Sequence, residues 1–239
     1  LRGGAKSAES TLTSAKLGLI GTQPEMARQQ LVELSNGTDV IAAQALLALL
    51  DDALRNNRQP DTNWVDDVAS LVRATEGTMV ASALNLAGLR GKISLMQFDE
   101  VRLALNNESP GLTDLTRNSL GSEALAAATK HASDEEFIRS VIGFVKFFEK
   151  TALSRDQRFA LAKRLNDLGL SKRAASFLPD NPDTISERRT SSDVLSAIGE
   201  VASAIALIEK QSTNLLPELA SLHAQRGSIA QALASYSES

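Results

Sequence analysis

The sequence predicts an all-α protein built of antiparallel helical hairpins stacked in chain order. Apolar residues recur three and four positions apart along most of the 239-residue chain, which is the period of an amphipathic helix. No segment shows the alternation of apolar and polar residues, bounded by turns, that a half-buried strand requires. Short connections between the helical segments make successive helices antiparallel neighbours. An irregular helical bundle is the alternative arrangement of the same helices.

Start and stop signals divide the chain into these helices. A hydroxyl residue followed three positions later by an acid or an amide, the pattern of a capping box, occurs at 22–25, 133–136, 154–157 and 184–187. Turn signals lie between these starts and include Gly37, Gly77, Gly91, Gly121, Gly169 and Gly227. The predicted helices cover 8–20, 23–35, 39–57, 62–76, 78–89, 93–107, 112–131, 134–151, 155–168, 171–178, 191–211, 214–226 and 228–237.

The longest irregular segment, residues 179–190, is the strongest candidate for a domain boundary. It contains two of the six prolines of the chain, which disfavour helix. A hinge here would separate a helical-hairpin stack at 1–178 from C-terminal helical hairpins at 191–239. The alternative, which we favour, is an ordered loop across one continuous stack.

Composition excludes several classes of function. The net charge of −4 gives no general attraction to nucleic acid or to anionic lipid. The longest apolar run, 41–50, is interrupted by Gln44 and is too short to cross a bilayer. With no cysteine, disulfides and cysteine-based metal or nucleophile sites are excluded. A chain without cysteine fits a bacterial periplasmic domain slightly better than a cytoplasmic protein, and the start at Leu1 leads us to expect a piece of a longer protein.

No motif predicts a catalytic, metal or cofactor site. The only histidines are His131, expected at a helix end, and His223, expected to pack on the inward face of a hairpin. Pairs of adjacent acids, such as Asp51 and Asp52, point about 100° apart on a helix and do not converge on one atom. The segment 87–94 lacks the spacing of a phosphate-binding loop. We therefore expect no enzyme activity and no cofactor.

The segment whose composition differs most from the rest of the chain is a phenylalanine-rich helix. Four of the seven phenylalanines lie between 135 and 150, and apolar residues cover nearly its whole circumference. Such a helix is either central in the core or half-exposed as a partner site, and we favour the core. Phe137 and Phe148 are predicted to be buried, and Phe144 and Phe147 are the candidates for an exposed partner site.

Two hairpins share a pattern of residues around a turn glycine. Leu161, Ala162 and Leu165 precede Gly169, and Ala174 and Leu178 follow it. At the same distances, Gly227 is preceded by Leu219, Ala220 and His223 and followed by Ala232 and Tyr236. The match fails two residues after the glycine, where Gly227 is followed by Ile229 and Gly169 by Ser171. A small residue at the crossing lets two helices approach closely, and the glycine takes the left-handed turn conformation.

On these residues, segments 155–178 and 214–237 resemble the tetratricopeptide-repeat family, whose unit is a helical hairpin of about 34 residues. The resemblance implies a degenerate α-solenoid. It also implies partner-facing residues on the first helix of each hairpin: Asp156, Phe159, Lys163, Asn166 and Asp167 in one, and Asn214, Ser221, Ala224 and Gln225 in the other. The two glycines are farther apart than one such unit, with the predicted helix 191–211 between them.

The predicted function is that of a non-enzymatic scaffold or adaptor that binds a peptide or a protein through its helical surface. The alternative is the helical, non-catalytic part of a larger bacterial envelope enzyme or machine. A self-contained α-helical enzyme is the third hypothesis. The sequence leaves open the identity of the partner and the oligomeric state.

Overall fold

The structure is a computed structural model that describes residues 7–107, 112–147, 152–209 and 216–237. Its α-helices are α1 (Ala8–Leu19), α2 (Pro24–Ser35), α3 (Val40–Arg55), α4 (Thr62–Ala74), α5 (Met79–Ser94), α6 (Phe98–Asn106), α7 (Asp114–His131), α8 (Asp134–Phe144), α9 (Arg155–Asp167), α10 (Ser171–Ala175), α11 (Ile185–Ala197), α12 (Val201–Glu209), α13 (Leu216–Gln225) and α14 (Ile229–Ser237). A 3-10 helix at Val145–Phe147 continues α8. No strand occurs among the described residues, which confirms the all-α prediction for them.

Three of the four predicted helix starts use the expected hydroxyl. Ser154 and Thr184 form complete capping boxes, and Ser133 accepts a hydrogen bond from the backbone N–H of Glu136. The fourth start is different, because α2 follows Gln23 without a side-chain cap and has a proline as its first residue. Proline suits that position because the first helical N–H has no partner within the helix.

The predicted helix 191–211 is wrong at its start and in the middle. Because the Thr184 capping box starts a helix, α11 begins at Ile185. It ends before Gly199, whose φ of +89° breaks the chain into α11 and α12. A residue with a Cβ is strained at such a φ, so this glycine marks a turn. The second unit therefore contains a hairpin that the sequence prediction lacked.

The predicted break at Gly91 is also wrong, because α5 runs continuously through Gly88 and Gly91. A Cβ at Gly88 would lie 2.7 Å from Cγ1 of Val68, and one at Gly91 would lie 2.9 Å from Cγ2 of Val65. Both valines belong to α4, so the glycines let α4 and α5 pack closely instead of ending a helix. The break comes at Met96, whose φ is +59°.

Contacts divide the chain into two compact units, Leu1–Glu149 and Lys150–Ser239. In the first unit, α1 contacts α3, α3 contacts α5 and α5 contacts α7, so the odd-numbered helices form one layer. Each of them also packs against the even-numbered helix that follows it. One cluster of the core lies among α3, α4 and α5, where Leu46, Leu50 and Leu84 are completely or almost completely buried.

The described residues of the second unit form three hairpins, α9–α10, α11–α12 and α13–α14. Successive hairpins contact each other, since α11 packs against both α9 and α10, and α12 packs against α13. The predicted boundary segment 179–190 lies within this unit, and its second half is the start of α11. Its first half is held by arginines: Arg155 donates to the carbonyl oxygen of Asn181 and Arg188 to that of Pro182. The first half of the segment is thus an ordered loop, and its second half is helical.

Candidate functional site

The three hairpins of the second unit have the same turn. The backbone N–H of Gly169, Gly199 and Gly227 each donates to the carbonyl oxygen three residues earlier, at 2.9 to 3.0 Å. The next N–H donates in each case to the carbonyl oxygen five residues earlier, at 2.8 Å. All three glycines have a φ between +74° and +89°. Together these are the bonds of a Schellman motif, in which glycine ends a helix.

Equivalent positions around the three glycines also match in size and burial. Five residues after each glycine there is a buried alanine: Ala174, Ala204 and Ala232. Seven residues before it there is a small buried residue: Ala162, Ser192 and Ala220. Gly199 lies 30 residues after Gly169 and 28 residues before Gly227. The gap between the two hairpins recognised in the sequence therefore contains a third hairpin of the same kind.

A cleft of about 280 Å³ lies between α9 and α11, the first helices of two successive hairpins. Three of the predicted partner-facing residues line it: Asp156, Phe159 and Lys163. The other lining residues come from α9 and from the start of α11: Ala160, Thr184, Ser186, Glu187 and Thr190. Phe159 is only 7% exposed, so it contributes to the wall of the cleft and not to a protruding surface.

The remaining predicted residues of α9 lie next to the cleft. Lys163 forms an ion pair with Asp167 one helical turn away, with Nζ 3.0 Å from Oδ2. Asn166 is half-buried, and its Oδ1 atom is buried without a hydrogen-bond partner in the described part of the chain. These three side chains place charge and hydrogen-bonding groups along the exposed side of α9.

Polar contacts join α11 to α13. Helix α13 carries Ser221, Ala224 and Gln225, which the repeat resemblance implies to be partner-facing. Ser196 Oγ donates to Oε1 of Gln225 at 2.6 Å, and Arg189 Nη2 lies 2.6 Å from Oε1 of Glu218. Ser221 is exposed on α13. The structure thus brings Gln225 against α11, whereas Asn214 lies outside the described residues, as do the side chains of Ile229 and Tyr236.

Residues of α11 lie between the predicted partner-facing residues of α9 and those of α13. The sequence prediction missed them because it placed 185–190 in a loop. We give the name α9–α11–α13 face to the side of these three helices on which the cleft lies. The face is formed by Asp156, Phe159, Lys163, Asn166, Asp167, Ser186, Arg189, Thr190, Asp193, Glu218, Ser221 and Gln225. The signal that identifies α11 is Gly199, with Ser192 before it and Ala204 after it at the shared distances.

Asp193 has an unusual electrostatic environment within this face. Partial burial raises the pKa of its carboxyl group above the ordinary value, and Arg189 lowers it. The carboxylates of Glu218 and Asp167 raise the pKa of Asp193 further, while Lys163 lowers it. These neighbours lie on α9, α11 and α13, so Asp193 interacts with charges from the whole face.

One of the two partner residues predicted on the phenylalanine helix, Phe144, is not at the surface. Phe144 is completely buried, with its ring centroid 6.5 Å from that of Phe98 in an edge-to-face arrangement. Phe137 is buried as predicted, and Phe148 lies outside the described residues. The prediction of an exposed Phe144 is wrong because Phe144 lies seven positions after Phe137, on the same side of the helix.

Other side chains of this helix are exposed instead. Phe147 is half-buried in the 3-10 segment, where Lys146 Nζ lies 5.0 Å from the centroid of its ring. Ile142 and Val145 are 58% and 44% exposed. Helix α8 packs against α6 and α7, which leaves these two side chains on the side that faces solvent.

The two histidines lie where the sequence predicted. His131 is the last residue of α7. His223 is 4% exposed, and its Nε2 lies 3.7 Å from Oε1 of Glu209. In the described ranges no three histidine or acidic side chains lie close enough to hold a metal ion.

Among the helices that the structure describes, none has the length and apolar content needed to cross a membrane. Comparisons of the chain with protein-family models, with curated proteins and with solved structures found no significant match.

Proposed function

We propose that this chain is a non-enzymatic scaffold that binds a peptide segment of a partner protein on the α9–α11–α13 face. The observation that carries the proposal is the cleft between α9 and α11, which is lined by Asp156, Phe159 and Lys163. Three residues for which the repeat resemblance implies partner contact thus line the same cleft.

The order of helix contacts supports an α-solenoid of the tetratricopeptide-like kind. In such folds each hairpin packs on the next, and the first helices of successive hairpins form a continuous surface. Here α11 packs on α9 within the second unit, and the odd-numbered helices of the first unit contact each other in the same order. The shared turn of Gly169, Gly199 and Gly227 supports a repeated unit of about 30 residues.

The chemistry of the cleft favours an extended peptide. The ring of Phe159 offers apolar contact, and the side chains of Ser186 and Thr190 offer hydrogen-bonding hydroxyl groups. Charged side chains of Asp156 and Lys163 stand at the cleft and can select partner residues. A small apolar pocket surrounded by polar groups is a common form of peptide site.

A selection from a phage-displayed library of random 16-residue peptides tests this proposal with the full chain as bait. Ala160 is exposed and lines the cleft, so Ala160→Trp would fill it. Ala206 is exposed on α12, the second helix of a hairpin, and Ala206→Trp is the matched control. We expect enriched peptides to bind the wild type and the control equally and to lose at least tenfold in affinity for Ala160→Trp.

Two results would contradict the proposal. One is a selection that enriches no peptide over an unrelated bait. The other is a set of peptides that bind wild type and Ala160→Trp with the same affinity, because these peptides would use another surface. Melting temperatures of both variants, measured by circular dichroism, separate a lost site from a lost fold.

A further inference from the structure

We propose that the partner segment carries a lysine or arginine side chain that forms an ion pair with Asp193. This inference rests on the proposed function and names the chemical class of the partner: a peptide with a positive charge at the position that crosses α11.

The cations of this face are engaged within the face itself. Lys163 pairs with Asp167 at 3.0 Å. Arg189 pairs with Glu218 at 2.6 Å. Asp193 is exposed on α11, one helical turn after Arg189 and the cleft residue Thr190, and it forms no ion pair within the described part of the chain. A partner cation can therefore reach Asp193 without breaking a contact that the free protein makes.

The sum of charges on the face favours a basic partner over an acidic one. The acids Asp156, Asp167, Asp193 and Glu218 outnumber the bases Lys163 and Arg189. An acidic segment would meet this negative excess and would need to displace Asp167 or Glu218 from a formed pair. Complementary charge of this kind mainly sets specificity and the rate of association.

The electrostatics of Asp193 point in the same direction. Partial burial and the nearby carboxylates of Glu218 and Asp167 raise its pKa, so the fold disfavours the ionised form relative to an isolated aspartate. A cation placed against the carboxylate would favour the ionised form. Binding of a basic side chain and ionisation of Asp193 would thus support each other.

The composition of the selected peptides gives the first test. Peptides that bind the wild type and lose binding to Ala160→Trp should be enriched in lysine or arginine relative to the starting library. One such peptide is then synthesised with a fluorophore, and its Kd is measured by fluorescence anisotropy at 50 mM and 300 mM NaCl. Replacing its basic residue with glutamine should weaken binding about three- to fivefold at the lower salt concentration, as for a partly exposed ion pair.

Asp193→Asn tests the residue on the protein side. We expect this variant to bind the basic peptide about three- to fivefold more weakly than the wild type does. Its affinity for the glutamine peptide should equal that of the wild type. Asp66→Asn, which removes an equal charge from the exposed side of α4, is the control and should change neither Kd. At 300 mM NaCl the Kd values of the basic peptide for wild type and Asp193→Asn should differ less, because salt ions screen the ion pair between the peptide and Asp193.

The failures of the two proposals are distinguishable. Peptides that depend on the cleft but show no basic enrichment, or that are acidic, would overturn this inference and leave the proposed function intact. The same holds if Asp193→Asn and Asp66→Asn weaken binding equally, because the effect would then come from net charge alone. A selection without any cleft-dependent peptide would overturn both.

Discussion

Arg155 of α9 and Glu187 of α11 form a two-point ion pair that joins successive hairpins. Nε of Arg155 lies 2.7 Å from Oε1 of Glu187, and Nη2 lies 3.0 Å from Oε2. The backbone N–H groups of Asp183 and Thr184 also donate to Oε2 of Glu187, at 2.6 and 3.1 Å. One carboxylate thus caps α11, orders the preceding loop and binds the neighbouring hairpin.

Replacing Glu187 with glutamine should change how stability depends on pH. The hydrogen bond from Arg155 lowers the pKa of Glu187 from 4.5 to about 2, and the N–H groups of Thr184 and Asp183 lower it too, against the effect of burial. Because the pKa is lower in the folded state, the ionised carboxylate stabilises the fold above pH 4.5, and this contribution is lost as the pH falls toward 2. The wild type should therefore have a higher free energy of unfolding than Glu187→Gln at pH 7. This difference should become smaller as the pH falls from 4.5 toward 2.

Urea unfolding of both proteins at a series of pH values between 7 and 2 measures this difference. Glu135→Gln is the control, because the Glu135 side chain is 84% exposed and pairs with Arg139 one turn away on the same helix. A difference between wild type and Glu187→Gln that stays constant from pH 7 to pH 2 would rule out the assigned role of the Arg155 pair.

Gly199→Ala should destabilise the protein by about 1 to 2 kcal/mol, since residues with a Cβ are strained at positive φ. The φ of Gly199 is +89°, and an added Cβ would meet no atom within 4 Å. The cost therefore comes from the backbone conformation and not from a clash. Gly199→Asn should cost less, because asparagine adopts the left-handed region more readily than alanine.

Thermal or urea unfolding of these two variants gives the comparison. Gly169 and Gly227 have the same turn and equally open surroundings, and alanine at either position should have a similar effect. If Gly199→Ala were as stable as wild type, the turn between α11 and α12 would be assigned wrongly.

Phe144→Ala should cost roughly 3 to 5 kcal/mol, the usual range for deleting a buried phenylalanine ring. Phe144 is completely buried and packs edge-to-face on Phe98. Ile142→Ala, two residues away and 58% exposed, should change the free energy of unfolding by no more than about 0.5 kcal/mol. Equal effects of the two substitutions in urea unfolding would show that α8 packs with a different side toward α6 and α7.

Gly88→Ala should destabilise the first unit by about 1 to 3 kcal/mol, a typical cost of overpacking. The added Cβ would lie 2.7 Å from Cγ1 and 3.0 Å from Cγ2 of Val68. Shortening Val68 to alanine removes both methyl groups, so the double variant should be more stable than the sum of the two single effects predicts.

The control for this cycle is Gly21→Ala, where the nearest atom would be 3.5 Å from the new Cβ. We expect only a small change there. Strict additivity of Gly88→Ala and Val68→Ala would mean that α4 and α5 are not in contact at these residues.

Features that depend on neighbouring residues were predicted well from the sequence. The capping boxes at Ser154 and Thr184 form as expected, because each needs only the four residues of one helix start. The positive φ of Gly169 and Gly227 also follows from local turn chemistry. Phe159 and Lys163 were predicted as site residues only through the resemblance of segment 155–178 to the repeat family, and both line the cleft.

The sequence by itself determined the helical class, most helix starts and two of the three hairpin turns, since these depend on local preferences of the chain. Tertiary structure decided the rest. Gly88 and Gly91 stay inside a helix because α4 packs against them, although the same residue type ends helices elsewhere. Phe144 is buried and Ile142 exposed because α6 and α7 lie on one side of α8. Asp193 joins the α9–α11–α13 face only because α11 packs against α9 and is joined to α13 by the ion pair of Arg189 with Glu218. Most of the charges that act on Asp193 come from residues distant in the sequence.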